Sequence, residues 1–227
     1  MAKPVKRPYD NSRRLAQVRV TRVQAIEAAK QLFIEQGYPA TTIEAVAEAA
    51  DIPLPTLYRL FGSKRALLAA VLDTSFGGDD QPIAFGDRPE VRAARLEPDP
   101  IAFVEAFAGI ARRLMDRSSA ILYVLSTAAV VDTEAASLLA DIRRQRLVGQ
   151  SRITAELAKR DALNPELSKA EATDIVYVLW SPEVHRILTI ERGWSADHYQ
   201  RWLARSMRAL VRSDRTAPRP LKRDPTP

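Results

Sequence analysis

The sequence predicts an all-α protein. Apolar residues recur at spacings of three and four along most of its 227 residues, and no stretch keeps the alternation of a strand. Ser, Thr and Asp stand repeatedly just ahead of these runs, where helix caps belong. Hydrophobic residues make up 46% of the chain, enough for a packed core and too many for a largely disordered one. Cys is absent and only His185 and His198 occur, which excludes disulfides, thiolate catalysis, Cys-ligated metals and a His-rich metal site. No cofactor is therefore expected. No run of about 18 apolar residues exists, so no membrane span is expected. The opening MAKPVKRPYD has no apolar core of a signal peptide. A cytoplasmic location is the expectation.

The helices follow in order. Ala25, Ile26, Ala29, Leu32 and Phe33 make one apolar face, closed by Gly37 as a C-terminal cap. Thr41 followed by Glu44 reads as a capping box, opening a helix at about Thr42 that ends near Ala50. A second short helix runs from Leu54 to Phe61. Ser63 caps a fourth, Lys64–Phe76, with Leu67, Leu68, Val71 and Leu72 inward. The Gly- and Pro-rich segment 77–100 reads as a linker with a short helix near Glu90–Leu96. Beyond it, Ile101–Met115 is amphipathic, and Ser119–Val130 is nearly all apolar and reads as a separate buried helix. Asp132 caps a long helix, Thr133–Lys159. Ser168 and Glu171 form a capping box for a helix to about Trp180. Ser181-Pro182 opens one to about Glu191, and Ser195 caps the last, ending near Arg212. The domains expected are a basic flexible arm (1–19), a first helical domain (20–76), the linker (77–100), a second helical domain (101–212) and a disordered tail (213–227).

The net charge of +6 is unevenly placed. Residues 1–22 carry seven basic side chains against Asp10, residues 212–227 carry five against two acidic ones, and the body between is slightly acidic. Basic ends attract polyanions, nucleic acid foremost, or serve only as solvated tails.

The informative segment is Thr42–Lys64. Two helices of one to two turns, joined by Asp51-Ile52-Pro53, cannot persist alone in water and must pack on their neighbours, which is the layout of a helix-turn-helix. The second is about 12 Å long, short enough to enter a major groove about 12 Å wide. Ala47, Ile52, Leu57 and Phe61 should face inward. Leu54, Pro55, Thr56, Tyr58 and Arg59 should face out. Tyr58 suits a phosphate and Arg59 a guanine edge or a phosphate, while Thr56 and Leu54 suit a thymine methyl. Thr42 stands at a helix N-terminus, where free backbone N–H groups attract phosphate. Lys64 adds a point charge at the next helix start. A plain corner in a helical bundle would share this spacing.

The residues themselves carry more. VTRVQAIEAAKQLFIEQGYPATTIEAVAEAADIPLPTLYRLFGSKRALLAAVL closely resembles the DNA-binding domain of the TetR family of transcriptional regulators, over about residues 20–72. The stretch SPEVHRILTIERGWSADHYQRWLARSMRALV is similar, more weakly, to the C-terminal end of such proteins. The resemblance implies an N-terminal helix-turn-helix DNA-binding domain followed by a larger ligand-binding and dimerisation domain. It implies a homodimer on a palindromic DNA operator, released by a small-molecule effector, and no enzyme. It places phosphate or sugar contacts on Thr42, Tyr58 and Lys64 and base reading on Leu54–Arg59. A groove or backbone role falls on the arm before Val23, Arg22 included. Two features depart from the family. Asp51 stands where glycine is common in the turn, and Pro53 and Pro55 flank Leu54. Asp tolerates the left-handed conformation, and proline is accepted in a helix's first turn, so the departures bear on docking rather than fold.

Residues 101–212 offer enough apolar helix to enclose a cavity. Its candidate lining is Phe103, Phe107, Met115, Tyr123, Tyr177, Trp180 and His185, all of which would equally serve as plain core. His185 next to Glu183 reads as a helix-end pair. The few charges in Ala120–Val131 favour an apolar or amphipathic effector. The resemblance implies that the Ser168–Trp180 and Ser195–Arg212 helices meet their copies in a four-helix bundle, through Ile175, Leu179, Trp202, Leu203, Met207 and Leu210. Two other classes stay open: a DNA-binding protein without an effector, and an all-α carrier or enzyme using Glu183, His185 and Asp174.

Overall fold

The computed structural model describes residues 11–81 and 83–212. It contains ten α-helices among the described residues: α1 (Asn11–Gln36), α2 (Ile43–Ala49), α3 (Leu54–Phe61), α4 (Lys64–Gly77), α5 (Pro89–Leu96), α6 (Pro100–Ala128), α7 (Thr133–Lys159), α8 (Lys169–Leu179), α9 (Pro182–Arg186) and α10 (Ala196–Met207). The only β-type pairing among them is the isolated bridge between Leu163 and Val211. No described helix is long and apolar enough to cross a membrane.

Most helix starts are where the caps put them. Ser63, Asp132, Ser181 and Ser195 each accept a hydrogen bond from a backbone N–H of the first turn, and Ser168 with Glu171 forms the full capping box. The cap of α2 is a correction. Thr42, not Thr41, accepts the Ala45 N–H, so Glu44 falls one place short of a capping box. Thr41 is fully buried instead, and its hydroxyl donates to the carbonyls of Gly37 and Leu32.

Other boundaries differ. Helix α1 reaches back to Asn11, so residues 11–19, expected as a flexible arm, are helical, while residues 1–10 and the tail 213–227 lie outside the described residues. The two helices expected at Ile101–Met115 and Ser119–Val130 are one rod, α6. The Asp116–Ser119 stretch contains neither Gly nor Pro, and Ser118 bonds back to the Leu114 carbonyl within the helix rather than starting a new one. After Arg186 the chain makes a π-turn, Ile187–Glu191, and after Met207 a 3₁₀ turn, Arg208–Leu210, which shortens the last two helices.

Two apolar clusters form. The first joins Ile26, Ala29 and Phe33 of α1, Val46 of α2, Leu57 of α3 and Leu67, Leu68, Val71 and Leu72 of α4. It also takes in Ile121, Leu122 and Leu125 from the far half of α6 and Ile142 from α7. The second gathers Phe103, Phe107 and Met115 from the near half of α6 with Ile153 and Leu157 of α7, Val176 of α8, and Tyr199, Leu203 and Met207 of α10. Helix α6, about 44 Å long at 1.5 Å per residue, is therefore shared by both.

Three seam residues need correction here. Leu203, Met207 and Leu210 are fully buried within the chain, α10 packing along α6, so they are not free to meet a second copy. Ile175, Leu179 and Trp202 are half-buried.

Candidate functional site

The turn between α2 and α3 is closed by backbone bonds. Ala50 ends the helix, Asp51 takes φ +52°, its N–H reaches the Glu48 carbonyl at 3.1 Å, and the Ile52 N–H reaches that of Ala47 at 2.9 Å. This is a Schellman motif with Asp in the left-handed position that glycine usually fills. Buried Ile52 and Ala47 supply its apolar contact. Pro53 then acts as N-cap of α3 and Pro55 falls in its first turn, where no intrahelical donor is lost.

Helix α3 is anchored by Leu57, 1% exposed, with Leu54 and Phe61 half-buried against the first cluster. That orientation leaves Pro55, Tyr58 and Arg59 exposed, Tyr58 to 44%, with Thr56 half-buried beside them. The Tyr58 hydroxyl lies 3.4 Å from a carboxylate oxygen of Glu44 on α2. Glu44 is a neighbour the sequence did not indicate, since two short helices reveal little about their mutual register. Thr42 is exposed at the start of α2, its hydroxyl already holding the Ala45 N–H.

The remaining predicted contacts sit differently. The Lys64 ammonium donates to the carbonyls of Tyr38 at 2.9 Å and Thr41 at 3.0 Å and lies 4.4 Å from the centre of the Tyr38 ring. Burial lowers its pKa. It thus pins the 38–41 loop to the start of α4 instead of pointing freely into solvent. Arg22 lies over the Phe61 ring at 4.8 Å, on the flank of α3 rather than on a mobile arm.

A cavity of about 730 Å³ opens between α4, α5, α6 and α7. Four of the expected residues line it: Phe103, Phe107, Met115 and Trp180. Phe76 at the end of α4, Phe85 and Val91 join them. Three expected residues lie elsewhere. Tyr123 is exposed under the Arg186 guanidinium, and Tyr177 stacks below Arg146 at 4.5 Å. His185 is buried, its Nε2 lying 3.3 Å from Asp116 Oδ1 and its ring edge-on to Tyr199. The partner of His185 is thus Asp116, not Glu183. Glu183 and Asp174 are exposed and share no hydrogen bond with it, so no acid/base set forms. Sequence reasoning missed Arg146 and Gln150, which also line the cavity, because polar residues on a long helix ordinarily read as solvent-facing.

Burial lowers the pKa of His185, opposed by Asp116. A histidine whose folded pKa lies below the unfolded value of about 6.5 contributes fully above that value. The contribution is lost as pH falls below it toward the folded pKa. Unfolding free energy measured in urea should therefore decline between about pH 7 and pH 5, and His185→Gln should flatten part of that decline. Identical slopes for the two proteins would show that His185 charges freely in the folded state.

Comparison with known proteins agrees with this geometry. Residues 25–71 match the family model of the bacterial regulatory proteins of the tetR family. The chain is 41% identical over 61 residues to the HTH-type transcriptional repressor BdcR of Escherichia coli, covering 27% of this chain and 31% of that protein. It is 32% identical over 120 residues to the HTH-type transcriptional repressor KstR of Mycobacterium tuberculosis, covering 52% of this chain and 51% of that one. The chain thus spans between about a third and a half of the length of these relatives. Among solved structures, the SmeT–triclosan complex superposes with a TM-score of 0.65 at 14% identity, over 92% of this chain and 99% of that one, a likeness of fold. Residues 25–71 thus match the helix-turn-helix domain of the tetR family, and the chain as a whole shares its helical fold with the SmeT structure.

Proposed function

We propose that the protein is a dimeric, ligand-responsive transcriptional regulator, a repressor by preference, acting in the cytoplasm on an operator of two-fold symmetry. The observation that carries this reading is helix α3: Leu57 locks it in place while Pro55, Tyr58 and Arg59 stand clear of the body. Arg59 reads a base edge, Tyr58 holds a phosphate, Leu54 and Thr56 give apolar contact at the helix start, and Thr42 offers the N-terminus of α2 to the backbone. Lys64 and Arg22 act indirectly, by bracing the loop and the flank of α3.

A second copy doubles the few base pairs one short helix can read. Exposed Val178, Ile187 and Ile190, with half-buried Ile175, Leu179 and Trp202, are apolar surface on the C-terminal helices suited to that contact. The cavity is the effector site, and its wall includes Phe76 in the last turn of α4. Arg117 of α6 donates to the carbonyls of Ser75 and Phe76, tying that end of α4 to the body, while the other end follows α3 directly. A ligand that shifts Phe76 shifts the reading helix with it. A few kcal/mol of preference for the shifted state suffices to empty the operator. BdcR and KstR are named repressors, and SmeT was crystallised with a small molecule, which supports the same reading.

The test is duplex binding. After selection of an operator from random DNA, affinity should fall about a thousandfold or more between about 50 and 200 mM salt, as counterions leave some six to ten phosphates. Tyr58→Phe should weaken all sequences alike. Arg59→Ala should cost about 1–3 kcal/mol at one base pair of each half-site and relax preference there. Salt-independent binding, or unchanged preference in Arg59→Ala, would overturn the assignment.

A further inference from the structure

Most of the polar lining of the cavity comes from α7. There Arg146 and Gln150, one turn apart on α7, both donate to the Trp180 carbonyl at 3.1 Å, where α8 has ended. Arg146 Nη2 also reaches the Tyr177 carbonyl at 3.3 Å. These bonds leave two polar atoms unmet. Arg146 Nε is buried without a partner, and so is Gln150 Oε1, whose identity is fixed because the other amide atom must be the donor to Trp180.

The charge is unmet as well. Among the described residues Arg146 forms no ion pair; carbonyl oxygens and the Tyr177 ring contact it, and the exposed Glu183 carboxylate acts on it only from beyond ion-pair distance. Burial lowers its pKa accordingly. A buried cation without a counter-ion is unfavourable unless one arrives from outside. The surroundings favour an anion. Arg95, Arg152 and Lys159 also line the cavity, as does Arg144, itself paired with Asp141, and the one acidic lining residue, Glu156, is already paired with Arg160 at 2.9 Å. Such a field attracts anions and repels cations.

We infer that the effector is an amphiphile with a single negative charge, a carboxylate, whose head meets Arg146 and whose apolar body lies along Phe76, Phe103 and Phe107. Among the lining cations only Arg146 has a buried nitrogen without a partner, and that one guanidinium calls for one negative charge. Gln150 Oε1, an acceptor, is met by an O–H group, either the ligand's own hydroxyl or a water held on the carboxylate. A cavity of about 730 Å³ falls in the range that encloses such a molecule. This inference rests on the reading of the cavity as the effector site.

The test titrates the full chain with four probes of equal tail below their micelle concentrations: dodecanoate, dodecanol, dodecyltrimethylammonium and dodecyl phosphate. Binding is read by calorimetry, and release of an operator duplex is read in parallel. Dodecanoate should bind about tenfold or more tighter than dodecanol, through a charge-assisted hydrogen bond, and the trimethylammonium should not bind. Arg146→Met should abolish the preference for the acid while leaving dodecanol binding in place, and Arg146→Lys should keep part of it. If Arg146→Met fails to fold, the wild-type series and Arg146→Lys decide. Equal binding of acid and alcohol, with duplex release by both, would overturn the charge assignment and leave the regulator reading standing. Tighter binding of the doubly charged phosphate would overturn the single-charge assignment. Binding of no probe would overturn this inference and the effector site together.

Discussion

Replacing Leu57 by alanine is expected to lower the unfolding free energy by about 2–5 kcal/mol and to abolish operator binding. Leu57 is the one fully buried side chain of α3, and it packs among residues of the first cluster. Eight residues do not hold a helix in water without tertiary contacts. Truncation therefore leaves a void and also frees the element that carries Tyr58 and Arg59. Urea denaturation gives the first quantity and a duplex titration the second. A variant that lost stability but kept full affinity would mean that α3 is held by something other than Leu57.

Phe103→Ala should be at least as destabilising, by about 3–5 kcal/mol, with a different functional signature. Phe103 is fully buried in the second cluster, its ring 5.0 Å from that of Phe107 and capped by the Arg160 guanidinium at 4.9 Å. It also forms part of the cavity wall. Truncation removes apolar contact and enlarges the cavity. Where enough protein remains folded, operator affinity should be near that of the unaltered chain, because Phe103 belongs to the second cluster and α3 packs on the first. Bulkier ligands should gain relative to slimmer ones. Unchanged ligand-size preference would place the bound ligand away from the near half of α6.

The two clusters also show what the sequence could convey. The bounds of α3 were readable because the segment is framed by Pro53 and Gly62 and its apolar residues point one way. The capping box at Ser168 was readable because both partners lie within four residues. Failures came where the information is non-local. Ser118 and Ser119 look like punctuation between two helices, but a serine can bond back within a continuous one, and only packing decides. The apolar stripe Leu203, Met207 and Leu210 announces burial without naming the partner, and α6 of the same chain supplies it. The Thr41–Glu44 spacing matched a capping box, but Thr41 is the hydroxyl the body covers, and Thr42 caps instead. Arg146 was silent because a charge on a long helix gives no sign of facing inward. The helix-turn-helix geometry was legible from local pattern, while the cavity lining needed the third dimension.

Helix α6 places one half of its length in each apolar cluster. Neither portion can melt while the other stays ordered without tearing that rod from half of its neighbours. Heating should accordingly give a single calorimetric peak, its van't Hoff and measured enthalpies agreeing, in place of the stepwise loss usual for a head and body joined by a loop.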